Sequence, residues 1–120
     1  MSEESRDYQA QVTSAPKRWC YEVCRDGECV QYDGYDPKTD TLLEAKGLGY
    51  DQWFDGKLDA LFNFKGLKSL RVQAEKQTRL AGGSRVRWHV AEPRMVAIFR
   101  KLFGKWNTTS IEVEYTQPQP

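Results

Sequence analysis

Short β-rich runs recur along the chain, separated by turn residues, and two longer stretches carry a helical spacing of apolar positions. Trp19-Cys20-Tyr21-Glu22-Val23-Cys24 reads as a first strand. Asp26-Gly27 is a strong two-residue hairpin signal that pairs Arg25 with Glu28 and Cys24 with Cys29. The second strand runs from Cys29 to Tyr35, Asp36-Pro37-Lys38-Thr39-Asp40 is turn chemistry, and Thr41 to Lys46 is the third strand, ending at Gly47. From Leu58 to Ala81 the spacing turns helical, with a break expected near Gly66 and a C-cap at Gly82-Gly83. Arg85 to Ala91 is the fourth strand. Pro93 opens a helix that sets Met95, Val96, Phe99, Leu102 and Phe103 on one face and stops at Gly104. Ile111 to Tyr115 alternates as a last strand. Residues 1–16 form a polar arm or partial first helix around Tyr8 to Val12, residues 17–116 the domain proper, and 117–120 a tail. The order α, βββ, α, β, α, β predicts an α/β fold with a mixed central sheet flanked by helices.

A chain of 120 residues makes one domain with a single core. No window approaches the ~18 apolar residues of a membrane span, so membrane insertion is not expected. The acidic, polar start differs from a signal peptide. The net charge of +1 hides an asymmetry. Residues 1–64 hold 7 Lys/Arg against 13 Asp/Glu, whereas residues 65–105 hold 11 against 2. An acidic half joined to a basic half suits a protein that holds a cation while gripping a polyanion. A helix-rich half with solvated basic faces is the plain alternative.

The three cysteines, Cys20, Cys24 and Cys29, cluster within ten residues. Zinc would need a fourth ligand, and the only histidine, His89, is distant in sequence. The hairpin brings Cys24 and Cys29 within reach of a disulfide, but reduced, buried thiols are the expectation for a chain working inside a cell.

The candidate chemistry lies on the third strand. Glu44 and Lys46 are two apart, so their side chains share a face. If Pro37 to Asp40 form a four-residue loop, Asp36 pairs with Thr41 and Asp33 falls opposite Glu44, at ~5 Å between Cβ atoms. Two acids and a lysine then meet on one patch. A hard cation such as Mg²⁺ (or Mn²⁺) takes one or two carboxylates, here Asp33 and Glu44, and the Ala45 carbonyl offers a third ligand. Lys46 beside them can orient a water and stabilise charge developing on a phosphate. Taken alone, Glu-x-Lys is a common spacing that also fits a solvated hairpin.

On the long helix, Leu67, Leu70, Ala74 and Ala81 form a stripe that includes Gln77, with Gln73 at its edge one turn earlier. A glutamine on a buried stripe needs hydrogen-bond partners. Lys65, Lys68, Arg71 and Arg79 surround this helix and can steer a nucleic-acid backbone. His89 alternates with Arg87, opposite in direction to Val86, Trp88 and Val90.

The runs Tyr32-Asp33-Gly34-Tyr35-Asp36, Leu42-Leu43-Glu44-Ala45-Lys46-Gly47 and Gly49-Tyr50 resemble the PD-(D/E)xK nucleases. More narrowly, the chain resembles the fifth restriction-endonuclease-fold toxin family of bacterial polymorphic toxins. The likeness continues through Tyr8-Gln9, Val12-Thr13, Gln73-Ala74, Gln77, Trp88-His89 and Ala91-Glu92. It implies a restriction-endonuclease-like core and a metal-dependent nuclease, a DNase first and an RNase second. It also implies the toxin domain of an interbacterial effector, delivered by a secretion system of type VI kind into the target-cell cytoplasm. A cognate immunity protein would neutralise it in the producer. In the resembling nucleases the helix after the Glu-x-Lys strand offers a glutamine to the site, which assigns Gln77 and, second, Gln73. The Trp-His pair implies a relay or phosphate-contact role for His89. The first helix of this fold often adds an acid, and none of Glu3, Glu4 or Asp7 stands in a convincing place. A non-catalytic nucleic-acid-binding domain and a structural adaptor are the readings from other classes.

Overall fold

The computed structural model describes residues 2–16, 19–50 and 60–120, with side chains from residue 65 onward in the last stretch. Its elements are α1 (Glu3–Thr13), β1 (Tyr21–Arg25), β2 (Glu28–Tyr32), β3 (Gly34–Asp36), β4 (Thr41–Lys46), α2 (Ala60–Leu80), β5 (Arg85–Val90), α3 (Arg94–Trp106) and β6 (Ile111–Tyr115). The main sheet has the order β3-β4-β5-β6, and β1-β2 form a separate hairpin. β3 runs antiparallel to β4, while β4, β5 and β6 are parallel, so the sheet is mixed as expected.

The register follows the turn chemistry. Asp26 and Gly27 both take positive φ, and β1 pairs Arg25 with Glu28 and Cys24 with Cys29. The Pro37–Asp40 loop pairs Asp36 with Thr41, Tyr35 with Leu42 and Gly34 with Leu43.

The expected single strand from Cys29 to Tyr35 is two. The chain changes partners at Asp33: Tyr32 still pairs with Tyr21 of the hairpin, whereas Gly34 already pairs with Leu43 of the main sheet. The Asp33 N–H donates to the Leu43 carbonyl at 2.9 Å, and the Ala45 N–H donates to Asp33 Oδ2 at 2.7 Å. A side chain thus takes over where the backbone ladder is interrupted.

Three helix boundaries also depart from expectation. α1 starts earlier than Tyr8, because Ser2 caps it by accepting from the Ser5 N–H. α2 runs unbroken through Gly66. A glycine costs only about 1 kcal/mol within a helix, and the buried stripe of Leu70, Ala74 and Gln77 offsets that. The start expected at Leu58 lies outside the described residues. α3 passes Gly104 and ends at Trp106, where Asn107 adopts the left-handed conformation and donates its N–H to the Phe103 carbonyl.

The core lies between the sheet and the α2 and α3 helices. Trp88 meets Phe99 and Phe103 edge-on, at ring-centre distances of 5.4 and 5.0 Å. α1 runs beside β3 and β4, from Thr13 at Gly34 to Ser5 at Gly47. Tyr8 and Gln11 of α1 bind the end of the chain, through the Thr116 and Gln117 carbonyls. Among the described residues, no helix is long and apolar enough to cross a membrane.

The cysteines overturn the expectation of buried thiols. Cys24 and Cys29 are joined as a disulfide, and all three cysteines are exposed. The edge hairpin offers no core to bury them, since its outer face is solvent.

Candidate active site

Glu44 and Lys46 point to the same side of β4, as their spacing requires, and both are buried. Lys46 Nζ lies 3.0 Å from Glu44 Oε2. α2 packs across this face and brings two glutamines down on the pair. Gln73 donates through Nε2 to Glu44 Oε2 at 2.8 Å and accepts through Oε1 from Lys46 Nζ at 2.7 Å. Gln77, fully buried, donates through Nε2 to Glu44 Oε1 at 3.0 Å and to the Gln31 carbonyl at 3.2 Å. Its Oε1 accepts from Trp88 Nε1 at 2.8 Å. Gln73 is therefore as closely engaged as Gln77, although it lies at the edge of the apolar stripe.

Asp33 completes the cluster from the bend before β3. Burial first, and then the neighbouring Glu44 charge, push its carboxyl up to about 7, against the opposing pull of the Ala45 N–H and Lys46. Burial works against the Lys46 charge, yet Glu44, Tyr50 and Asp33 together outweigh it and hold the ammonium above the ordinary lysine range. Lys46 also lies 4.7 Å from the Trp88 ring centre and 5.7 Å from that of Tyr50.

Other expected site residues lie elsewhere. His89 pairs across the sheet with Ala45, whereas Glu44 pairs with Trp88. Residues paired in register share a face, so His89 is on the opposite side of the sheet from Glu44 and Lys46. There its Nδ1 meets Thr116 Oγ1 at 2.8 Å, and burial lowers its pKa. Lys65 and Lys68 are exposed and, with Ser69, Val72 and Gln73, line an open recess of about 530 Å³. Arg71 instead pairs with Glu75 at 3.5 Å, and Arg79 pairs with Glu28.

The sequence did not point to the contacts that Trp88, Tyr32 and Tyr50 make around the cluster. Trp88 stood out only as a strand residue on the side opposite to His89 and as half of the Trp-His pair. Tyr32 donates its hydroxyl to the Gln77 carbonyl at 2.6 Å, and Tyr50 donates its N–H to Glu92 Oε1 at 2.9 Å. Their adjacency to Asp33 and to Lys46-Gly47 was the available signal.

Among the described residues, the one grouping of three potential metal ligands is Glu22, Cys24 and Cys29, all exposed. Its two sulfurs are bonded to each other, which removes them as thiolate ligands. A cleft of about 680 Å³ along β6, lined by Arg87, Arg100, Glu112 and Glu114 among others, contains none of the cluster residues.

The mixed α/β fold, with helices on a mixed sheet, agrees with a comparison of the chain against known families. The restriction endonuclease fold toxin 5 model matches residues 5–93, well over half of the chain. The chain belongs to that family. The matched part of this restriction endonuclease fold toxin spans α1 through β5 and includes every residue of the cluster; α3 and β6 follow it. No curated protein matches the chain.

Proposed function

We propose that this toxin domain is a metal-dependent phosphodiesterase, a nuclease acting on DNA, with Asp33, Glu44 and Lys46 as its reactive groups. The observation that carries the proposal is the buried Lys46–Glu44 pair, held by Gln73 and Gln77 beside the Asp33 carboxyl, which accepts from the Ala45 N–H. Two carboxylates facing one lysine leave the patch short of positive charge once both ionise. That shortage, in an all-oxygen donor set, fits Mg²⁺ or Mn²⁺.

Asp33 and Glu44 would hold the cation, with the Ala45 carbonyl as a further ligand. Glu44 accepts three donors against the roughly four lone-pair sites of a carboxylate, so it retains capacity for a ligand bond. A divalent cation held there would polarise a phosphodiester and acidify a nearby water. Lys46 then donates to the oxygens that gain charge as the phosphate reacts. Gln73 and Gln77 keep the Glu44 carboxylate aimed. Lys65 and Lys68, beside Gln73 at the recess, steer the phosphate backbone, while the ion pairs of Arg71 and Arg79 assign those two a smaller part. His89, on the far face, is left out of the reacting set.

The same reading makes the chain the toxin domain of an interbacterial effector. It is carried by a secretion system of type VI kind into the target-cell cytoplasm and is neutralised in the producer by a dedicated immunity protein. The experiment is incubation of purified protein with supercoiled plasmid and, separately, with cellular RNA, in Mg²⁺ or Mn²⁺, with and without chelator. Nicking of the plasmid that the chelator abolishes is the expected result. Cleavage of RNA alone reassigns the substrate, and inertness toward both overturns the nuclease.

A further inference from the structure

The proposed chemistry needs Gln77 to present its amide nitrogen, and not its oxygen, to Glu44. Nothing in Gln77 itself decides this, because the two ends of a side-chain amide are nearly equal in shape. The decision comes from the partners. Glu44 Oε1 and the Gln31 carbonyl only accept hydrogen bonds, and the indole Nε1–H of Trp88 only donates. Reversing the amide would set oxygen against two acceptors and nitrogen against a donor. Trp88 is fully buried, as is Gln77, so water cannot substitute for the missing partner without opening the core. The Trp88 ring lies beneath the Lys46 ammonium, and Phe99 and Phe103 meet it edge-on. Tyr32 fixes the Gln77 backbone through its hydroxyl.

We infer that Trp88 is a positioning residue for the site: its indole N–H locks the Gln77 amide in the orientation that serves Glu44, while its ring seats Lys46. This rests on the nuclease reading for its effect on rate, but not for its effect on Gln77. A purely structural core tryptophan would change stability and leave the Gln77–Glu44 contact alone.

The test has two arms. The first needs no activity: side-chain amide resonances of Gln77 are followed by NMR in wild type, in Trp88→Phe and in protein carrying benzothienylalanine at position 88. The last variant keeps the bicyclic shape and removes the donor, so it remains informative if Trp88→Phe fails to fold. Exchange of the Gln77 amide protons with water is expected to quicken at least about tenfold when the indole N–H is lost, the loss of roughly one buried hydrogen bond. Unchanged exchange in the folded donor-free protein overturns the inference. The second arm is a double-mutant cycle on plasmid cleavage. Loss of the donor alone should reduce the rate ~10–100-fold, as for other groups that orient reactive residues. In a Gln77→Leu background it should cost nothing further. Fully multiplicative losses would show that Trp88 does not act through Gln77 and would overturn the inference. If wild type cleaves nothing, the nuclease reading fails and the first arm still decides the role of Trp88.

Discussion

Replacing Lys46 with Met removes the ammonium and keeps an unbranched side chain of similar length. From sequence alone this reads as a mild change at the end of a strand. The structure makes it severe, since Lys46 and Glu44 are both buried, 3.0 Å apart. Lys46 also donates to Gln73 Oε1 and stands over the Trp88 ring. Its loss leaves Glu44 buried without its charge partner, with Asp33 adjacent. Breaking a buried pair from one side costs about 3–5 kcal/mol, a large share of the ~5–15 kcal/mol that holds a domain together. For a chain of this length that corresponds to a fall in Tm of roughly 10–20 °C. The double variant Glu44→Gln/Lys46→Met removes both charges, and it should recover at least about half of the loss because a buried pair is worth little against a neutral replacement. Urea unfolding of wild type, both single variants and the double variant gives the coupling directly. If Lys46→Met unfolds within ~0.5 kcal/mol of wild type, the surface-substitution range, then the pair is not buried as described and the electrostatic reasoning falls with it.

Three further outcomes follow from the same groups. Asp33 titrates near 7 in the fold, above its ordinary 3.8, so its proton favours the folded state. That stabilisation is complete below about pH 4 and is lost as pH rises through 7, by at most about 4 kcal/mol. Urea midpoints of metal-free wild type should therefore fall from pH 4 to pH 8 relative to Asp33→Asn, and parallel curves would refute the assignment. Calorimetry with Mn²⁺ should show binding that weakens strongly in Asp33→Ala at matched folding, with proton release by the wild type near pH 7; equal affinities would remove Asp33 from the metal site. An immunity protein from the neighbouring reading frame should present an acidic face to Lys65 and Lys68 and associate more slowly as salt rises. A salt-independent on-rate, or binding confined to the acidic half away from Lys46, would refute that mode of inhibition.

Much of this site was legible because turn chemistry fixes register. Asp26-Gly27 and Pro37–Asp40 set both hairpins, and the register of the second puts Asp33 next to the Glu44–Lys46 face. Gln77 was legible as a polar residue on an apolar helix stripe. The break at Asp33 was not, because Cys29 to Tyr35 carries a continuous β pattern and only the exchange of pairing partners interrupts it. Nor was the face of His89 relative to the site. Alternation sets it opposite Trp88, but the parallel register of β4 with β5, which aligns Trp88 with Glu44, is a long-range property. The engagement of Gln73 was hidden for a related reason. Its place at the stripe's edge gives its burial, while its partners come from a strand far away in sequence. The disulfide pairing followed from the hairpin, whereas the exposure of the cysteines depends on how little covers β1 and β2.

Glu44 stands at the centre of the proposed nuclease as its reactive-site carboxylate. Glu44→Gln keeps the side-chain shape and an acceptor oxygen while removing the charge. The direct measurement is the initial rate of plasmid cleavage by wild type and Glu44→Gln at saturating Mg²⁺, with folded fractions matched by circular dichroism. Chelator-sensitive cleavage by wild type and a loss of at least ~10²-fold in the variant are expected from this role. Cleavage by Glu44→Gln at the wild-type rate would contradict it.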